Sequence, residues 1–150
     1  MRKFGLGFAL LALVCGAGSG ALAQVRDHDP PAEFRYPRFT GAVPLCGDAL
    51  VLSELSYSFA GREAEFWNSG LAIEGYYPPE EIGYRTNGLS YIPRRYCRTM
   101  ALFNDGVLRK VVYNVAEAQG FIGIGPGVTW CVEGLDRNHA FSPNCRAAGP

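Results

Sequence analysis

Cys46, Cys97, Cys131 and Cys145 constrain what this chain can fold into more than any other residues, because the segment ahead of them reads as an export signal. Arg2 and Lys3 precede an apolar run from Phe8 to Val14, and Ala21-Leu22-Ala23 supplies the small residues that a signal peptidase reads before Gln24. Export leads to an oxidising compartment, so an even set of cysteines predicts two intramolecular disulfides, for which three pairings exist. Zinc is the competing use, but no two cysteines form a Cys-x-x-Cys knuckle and only His139 lies near them, so no metal or other cofactor is expected. Cys131 and Cys145 close the shortest loop at low entropic cost, which leaves Cys46 for Cys97. A plain meander of strands would hold Cys97 far from Cys46, and the other two pairings stay open.

Cys15 lies inside the leader behind Val14, where a lipoprotein signal requires a small residue, and is expected to leave with residues 1–23. The apolar run falls short of the ~20 residues that cross a bilayer, and no later run matches it, so the expected product is soluble and periplasmic or secreted. The chain has 14 basic and 14 acidic residues; removing Arg2 and Lys3 leaves 14 − 2 = 12 against 14, a formal charge of −2. That balance provides no overall field for nucleic acid or anionic lipid.

Pro30, Pro31, Pro37 and Pro44 deny residues 24–45 helix and ladder hydrogen bonds, which predicts an extended arm ahead of a single domain over 46–150. Asp48 is placed to cap a helix whose core face carries Leu52, Leu55, Phe59 and Phe66, ending at Trp67-Asn68-Ser69-Gly70. Strands are expected from Leu71 to Tyr77, stopped by Pro78-Pro79, and from Ile82 to Thr86. Asn104-Asp105-Gly106 is a hairpin turn between Tyr96 to Phe103 and Val107 to Val115. Its register sets Ala101 opposite Arg109, Thr99 opposite Val111 and Cys97 opposite Tyr113, with one apolar face toward the helix. The other face, with Arg98, Met100, Leu102, Leu108, Lys110 and Val112, is mixed enough to meet solvent or a partner. A last strand runs from Val128 to Gly134. The expected class is α+β: one N-terminal helix on an antiparallel four- to five-stranded meander, stapled by disulfides and analogous to cystatin-like and nuclear-transport-factor-like sheets.

The strongest binding candidate is the segment holding Tyr84, Arg85, Tyr91, Arg94, Arg95, Tyr96 and Arg98, since tyrosine offers a stacking face and arginine a planar fork for anions. Its competing reading is internal, with the arginines stacked on these tyrosines and paired with Glu74, Glu80 and Glu81. Gly120 to Gly127 lacks the following helix that a phosphate loop requires, but Phe121, Ile122 and Ile124 on such a connection are placed to enter a partner's groove unless they fold back over the core. A catalytic reading rests on His139 with Ser142 and Asp136, without a Gly-x-Ser-x-Gly elbow. The adjacent carboxylates Glu63 with Glu65, and Glu80 with Glu81, read as solvated charge.

Pro93-Arg94-Arg95-Tyr96-Cys97, Asp105-Gly106 and the run from Trp130 to Asn138 resemble an uncharacterised family of small exported alphaproteobacterial proteins. The resemblance implies a bacterial periplasmic setting and carries no activity. The functional expectation is a non-catalytic exported module that binds a protein or an envelope polymer. A small periplasmic hydrolase is the alternative. A cystatin-like protease inhibitor is the third reading, and it requires the arm and the loop before Trp130 to share one end of the sheet.

Overall fold

The structure is a computed structural model that describes residues 39–86 and 92–150; the leader, the arm up to residue 38 and Tyr91 lie outside the described residues. Helix α1 spans Ala49–Arg62, and the Asp48 carboxylate accepts the Leu50 N–H at 2.9 Å, satisfying one of the donors a helix start leaves open. Val51, Leu55 and Phe59 recur every four residues and are buried, with Leu52 partly buried at their flank. The expected fourth core residue, Phe66, is instead 65% exposed. The cause is a π-helical turn over Glu63–Trp67, whose extra residue rotates the chain so that Phe66 leaves the core stripe.

Strands β1 (Ile73–Tyr76), β2 (Glu80–Arg85), β3 (Arg94–Phe103), β4 (Leu108–Ala116) and β5 (Gly127–Val132) form one antiparallel sheet. Both β1 and β2 pair with β3, Ile73 opposite Phe103 and Arg85 opposite Arg94. Pro78-Pro79 therefore interrupts the edge of the sheet without reversing it. The Tyr77 N–H still donates to Met100 O at 2.9 Å, and the Thr99 hydroxyl donates to Tyr77 O at 2.7 Å.

This single bent edge removes the objection to a bridge between Cys46 and Cys97. Two reversing strands would carry the chain to the wrong end of the helix, whereas one bent strand returns it to the helix start before β3 begins. Cys46 is bonded to Cys97 and Cys131 to Cys145, with Cα separations of 5.7 and 5.5 Å. The hairpin has the expected register, including Ala101 with Arg109, Thr99 with Val111 and Cys97 with Tyr113. Asp105 accepts the Val107 N–H, and hydrogen bonds from Arg109 are the main cause that holds the Asp105 carboxyl down to about 2.

Cys97, Ala101, Phe103, Val111, Tyr113, Val115 and Val132 join the helix residues in the main core. The opposite face is only partly open. Val112, read from sequence as meeting solvent or a partner, is buried with Cys131, Cys145 and Ala148 because the C-terminal segment is stapled across it. Met100, Leu102 and Leu108 stay exposed. Glu63, read as solvated, is also buried: Arg137 Nη1 donates to its two carboxylate oxygens at 2.8 and 2.9 Å, and the Ser69 hydroxyl donates to one of them.

Replacing Cys131 and Cys145 with Ser together should cost about 2 to 5 kcal/mol. Urea unfolding measures that loss, and hydrogen exchange should show protection falling first at residues 145–148 while α1 keeps its own. Peptide mapping without reduction should recover a fragment joining Cys46 to Cys97.

Candidate functional site

One row of residues marks an end of the sheet: Arg85 lies opposite Arg94, Arg94 opposite Ala116, and Ala116 opposite Gly127. Beyond that row, residues 117–126 connect β4 to β5 and carry Phe121, Ile122 and Ile124 at 86, 81 and 74% exposure. These side chains do not fold back over the core. Leaving each in water forgoes about 1.5–3 kcal/mol relative to burial, which is large for one short connection.

The loop holds its shape through its own backbone. Gly120 N–H donates to Gly125 O at 3.1 Å, Gly123 N–H to Gly120 O at 3.0 Å, and Ile124 N–H to Phe121 O at 3.0 Å. Glycine is required where the chain crosses itself: a Cβ on Gly120 would stand 2.1 Å from Ile124 O, and one on Gly127 2.3 Å from Gln119 O. At the tip, Ile122 takes φ 51°, a left-handed conformation that is unfavourable for a β-branched residue. The result is an apolar tip presented in one conformation.

The described end of the arm lies beside this loop. Glu117, the first residue after β4, accepts the Thr40 N–H at 2.8 Å, the Thr40 hydroxyl at 2.7 Å and the Gly41 N–H at 2.8 Å. The Tyr84 hydroxyl donates to Gly41 O from the adjoining edge of the sheet. Partial desolvation pushes the Glu117 carboxyl up, but these three hydrogen bonds together outweigh it and hold its pKa below the ordinary value. Sequence inspection missed Thr40, Gly41 and Glu117, since an acidic residue after a strand has no local signature of a clamp formed 77 residues away in sequence.

The tyrosine and arginine segment is largely engaged with itself and its neighbours. Arg95 lies 4.6 Å over the Tyr84 ring, donates to Glu81, and donates to Val43 O at 3.3 Å. Arg98 donates to Glu80 at 2.6 Å, Arg94 donates to Asn114 at 3.1 Å, and Arg85 lies 5.7 Å from the centroid of the buried Tyr96 ring. Tyr91 lies outside the described residues. The segment braces β2, β3 and the arm, and brings Tyr84 to the same end as Phe121, Ile122 and Ile124.

His139 and Ser142 are exposed and close, with 3.3 Å between the serine hydroxyl and Nδ1. They border a shallow depression with Asp136, but both Asp136 oxygens accept backbone N–H groups, from Ala140 at 2.9 Å and Phe141 at 2.8 Å. That carboxylate closes a turn and does not orient the imidazole, as a serine nucleophile's base would require. No group of three His, Cys, Asp or Glu is placed to hold a metal among the described residues, and none of their helices is long and apolar enough to cross a membrane.

Comparison with known proteins found no matching family, no matching curated protein and no matching solved structure.

The clamp predicts a pH dependence. A carboxyl with a lowered folded pKa stabilises the fold above its ordinary value of 4.5, and that contribution disappears as pH falls through the lower folded value. The Thr40 and Gly41 amide resonances should move together with a midpoint below 4.5. Glu117→Gln should speed exchange of both amides already at neutral pH and leave the β4 amides protected.

Proposed function

We propose that this protein is a non-catalytic interaction module that works outside the cytoplasm and seats its glycine-rich loop in a groove of a partner protein. The observation that carries this reading is the apolar tip of Phe121, Ile122 and Ile124, exposed on a loop already held in one conformation. A preformed loop loses little conformational freedom on binding, so most of the apolar burial contributes to affinity. Two disulfides and the lack of a membrane-crossing helix among the described residues are compatible with a periplasmic or extracellular setting. The resemblance to small exported alphaproteobacterial proteins points the same way.

The inhibitor reading gains support from a second observation. Its condition was that arm and loop share one end of the sheet, and Glu117 ties Thr40 and Gly41 to the root of that loop. The described end of the arm, at Thr40 and Gly41, and the loop would then offer a composite edge to a protease cleft, in the manner of a cystatin-like inhibitor.

The test is capture from periplasmic extract by the immobilised protein, with Phe121→Ser, Ile122→Asn and Ile124→Ser combined as the comparison. Loss of the three side chains should weaken a recovered partner by about 4 kcal/mol, roughly a thousandfold in Kd, with little salt dependence. Equal capture by both proteins, or binding of the loop to lipid vesicles in place of any protein, would defeat the proposal. Inhibition of a cysteine protease panel that disappears with the triple variant would single out the inhibitor form.

Ile122→Asn alone separates function from stability. Asn tolerates the left-handed conformation and Ile122 buries little, so the substitution should raise the stability of the chain by about 1 kcal/mol while weakening capture. Thermal unfolding and binding measured on the same variant should move in opposite directions.

A further inference from the structure

Both tryptophans of the chain line a single cavity of about 340 Å³, toward the hairpin end of β5 and away from the glycine-rich loop. Trp130 is held on three sides. Its Nε1–H donates to the Ser58 hydroxyl at 2.6 Å, Phe59 meets it edge-on at 5.4 Å, and the Arg62 guanidinium lies 4.9 Å over its ring. Trp67 stands on the π-helical turn with the Arg137 guanidinium 4.8 Å over its ring. Two arginine–tryptophan stacks thus border the same space.

The acidic groups here are already engaged. Glu63 takes Arg137 Nη1 and the Ser69 hydroxyl, and Asp136 takes the amides of Ala140 and Phe141. Donors remain. Among the described residues Arg62 has no carboxylate partner, and Arg137 makes its hydrogen bonds through Nη1 alone. The π-helical turn also turns two flat side chains outward, Phe66 at 65% and Trp67 at 42% exposure. A complementary ligand must bring an anionic acceptor for Arg62, further acceptors around a ring, and a face that packs on aromatic carbon.

We propose that this cavity binds an acidic saccharide, with a hexuronate carboxylate on Arg62, ring hydroxyls on the remaining Arg137 donors, and the C–H face of the sugar against Phe66 and Trp67. A neutral sugar leaves the Arg62 charge without an acceptor, and an aromatic carboxylate lacks the hydroxyls. Glu63 acts as a positioning residue: buried and bonded to Arg137, it holds that guanidinium in one orientation.

Because the chain has no tryptophan elsewhere, tryptophan fluorescence of the intact disulfide-bonded protein, excited beyond the absorption band of its eight tyrosines, reads this cavity alone. Titration with trigalacturonate should give a saturable change with Kd below about 1 mM, and maltotriose should bind at least about tenfold more weakly. Arg62→Gln keeps both tryptophans and the Glu63–Arg137 pair; it should weaken trigalacturonate at least about tenfold and remove the preference for the acidic sugar. Four results would overturn the proposal: no saturable change with trigalacturonate up to about 10 mM, equal affinity for maltotriose, an unchanged Kd in a folded Arg62→Gln protein, or binding of benzoate without trigalacturonate. Substitutions at Phe121, Ile122 and Ile124 should leave the titration unchanged, so the two proposals fail separately.

Discussion

The start of the helix is fastened to the middle of the sheet, and the rest of the molecule is arranged around that attachment. The fully buried Tyr113 hydroxyl donates to Cys46 O at 2.7 Å, directly beside the bridge from Cys46 to Cys97, the residue opposite Tyr113 on β3. Burial, with a smaller contribution from Tyr76, pushes the Tyr113 phenol pKa up, so it remains a donor through the physiological range. A buried hydroxyl without a partner would cost about 1–3 kcal/mol, which makes the position of the Cys46 carbonyl stringent. With that point set, α1 packs across one face of the sheet, bringing Phe59 onto Phe103 of β3 and Trp130 of β5 at ring distances of 5.3 and 5.4 Å.

The same attachment gives the sheet two unlike ends. Upstream of Cys46 the chain leaves toward Val43, Gly41 and Thr40, where Arg95, Tyr84 and Glu117 receive it next to the glycine-rich loop. Downstream, α1 ends over the exit of β5, where the π-helical turn, Glu63 and Arg137 enclose a cavity. One end displays apolar side chains on a closed loop, and the other holds charged and aromatic groups around a hollow. Each end is anchored in the main core, by Val43 at one and by Trp130 and Val132 at the other, and each carries exposed groups beyond it.

Local regularity made much of the fold legible. Asp48 before an apolar helical repeat, and Asn104-Asp105-Gly106 between alternating strands, are signals whose physics lies within a few residues, and the structure has both the cap and the register. The glycine-rich loop was readable as a candidate because three large apolar residues among glycines have few ways to be buried. Pro78-Pro79 misled for a physical reason. Proline stops a ladder from continuing through itself, but whether the chain then reverses or resumes depends on Tyr77 finding Thr99 and Met100 on β3, with Thr99 22 residues away in sequence.

What the sequence determined by itself is the set of local commitments: a capped helix, a hairpin with one apolar face, four cysteines to be paired, and a loop too rich in glycine to be anything but a turn. Tertiary structure alone decided which distant groups meet. Glu63 and Arg137 are 74 residues apart, as are Thr40 and Glu117 to within a few residues, and each carboxylate reads in isolation as ordinary surface charge. The π-helical turn belongs to the same class, since its extra residue is accommodated where Glu63 is drawn under Arg137 and Ser69. Periodicity records which face of an element is apolar; the partner of a buried charge is set only when the chain has closed around it.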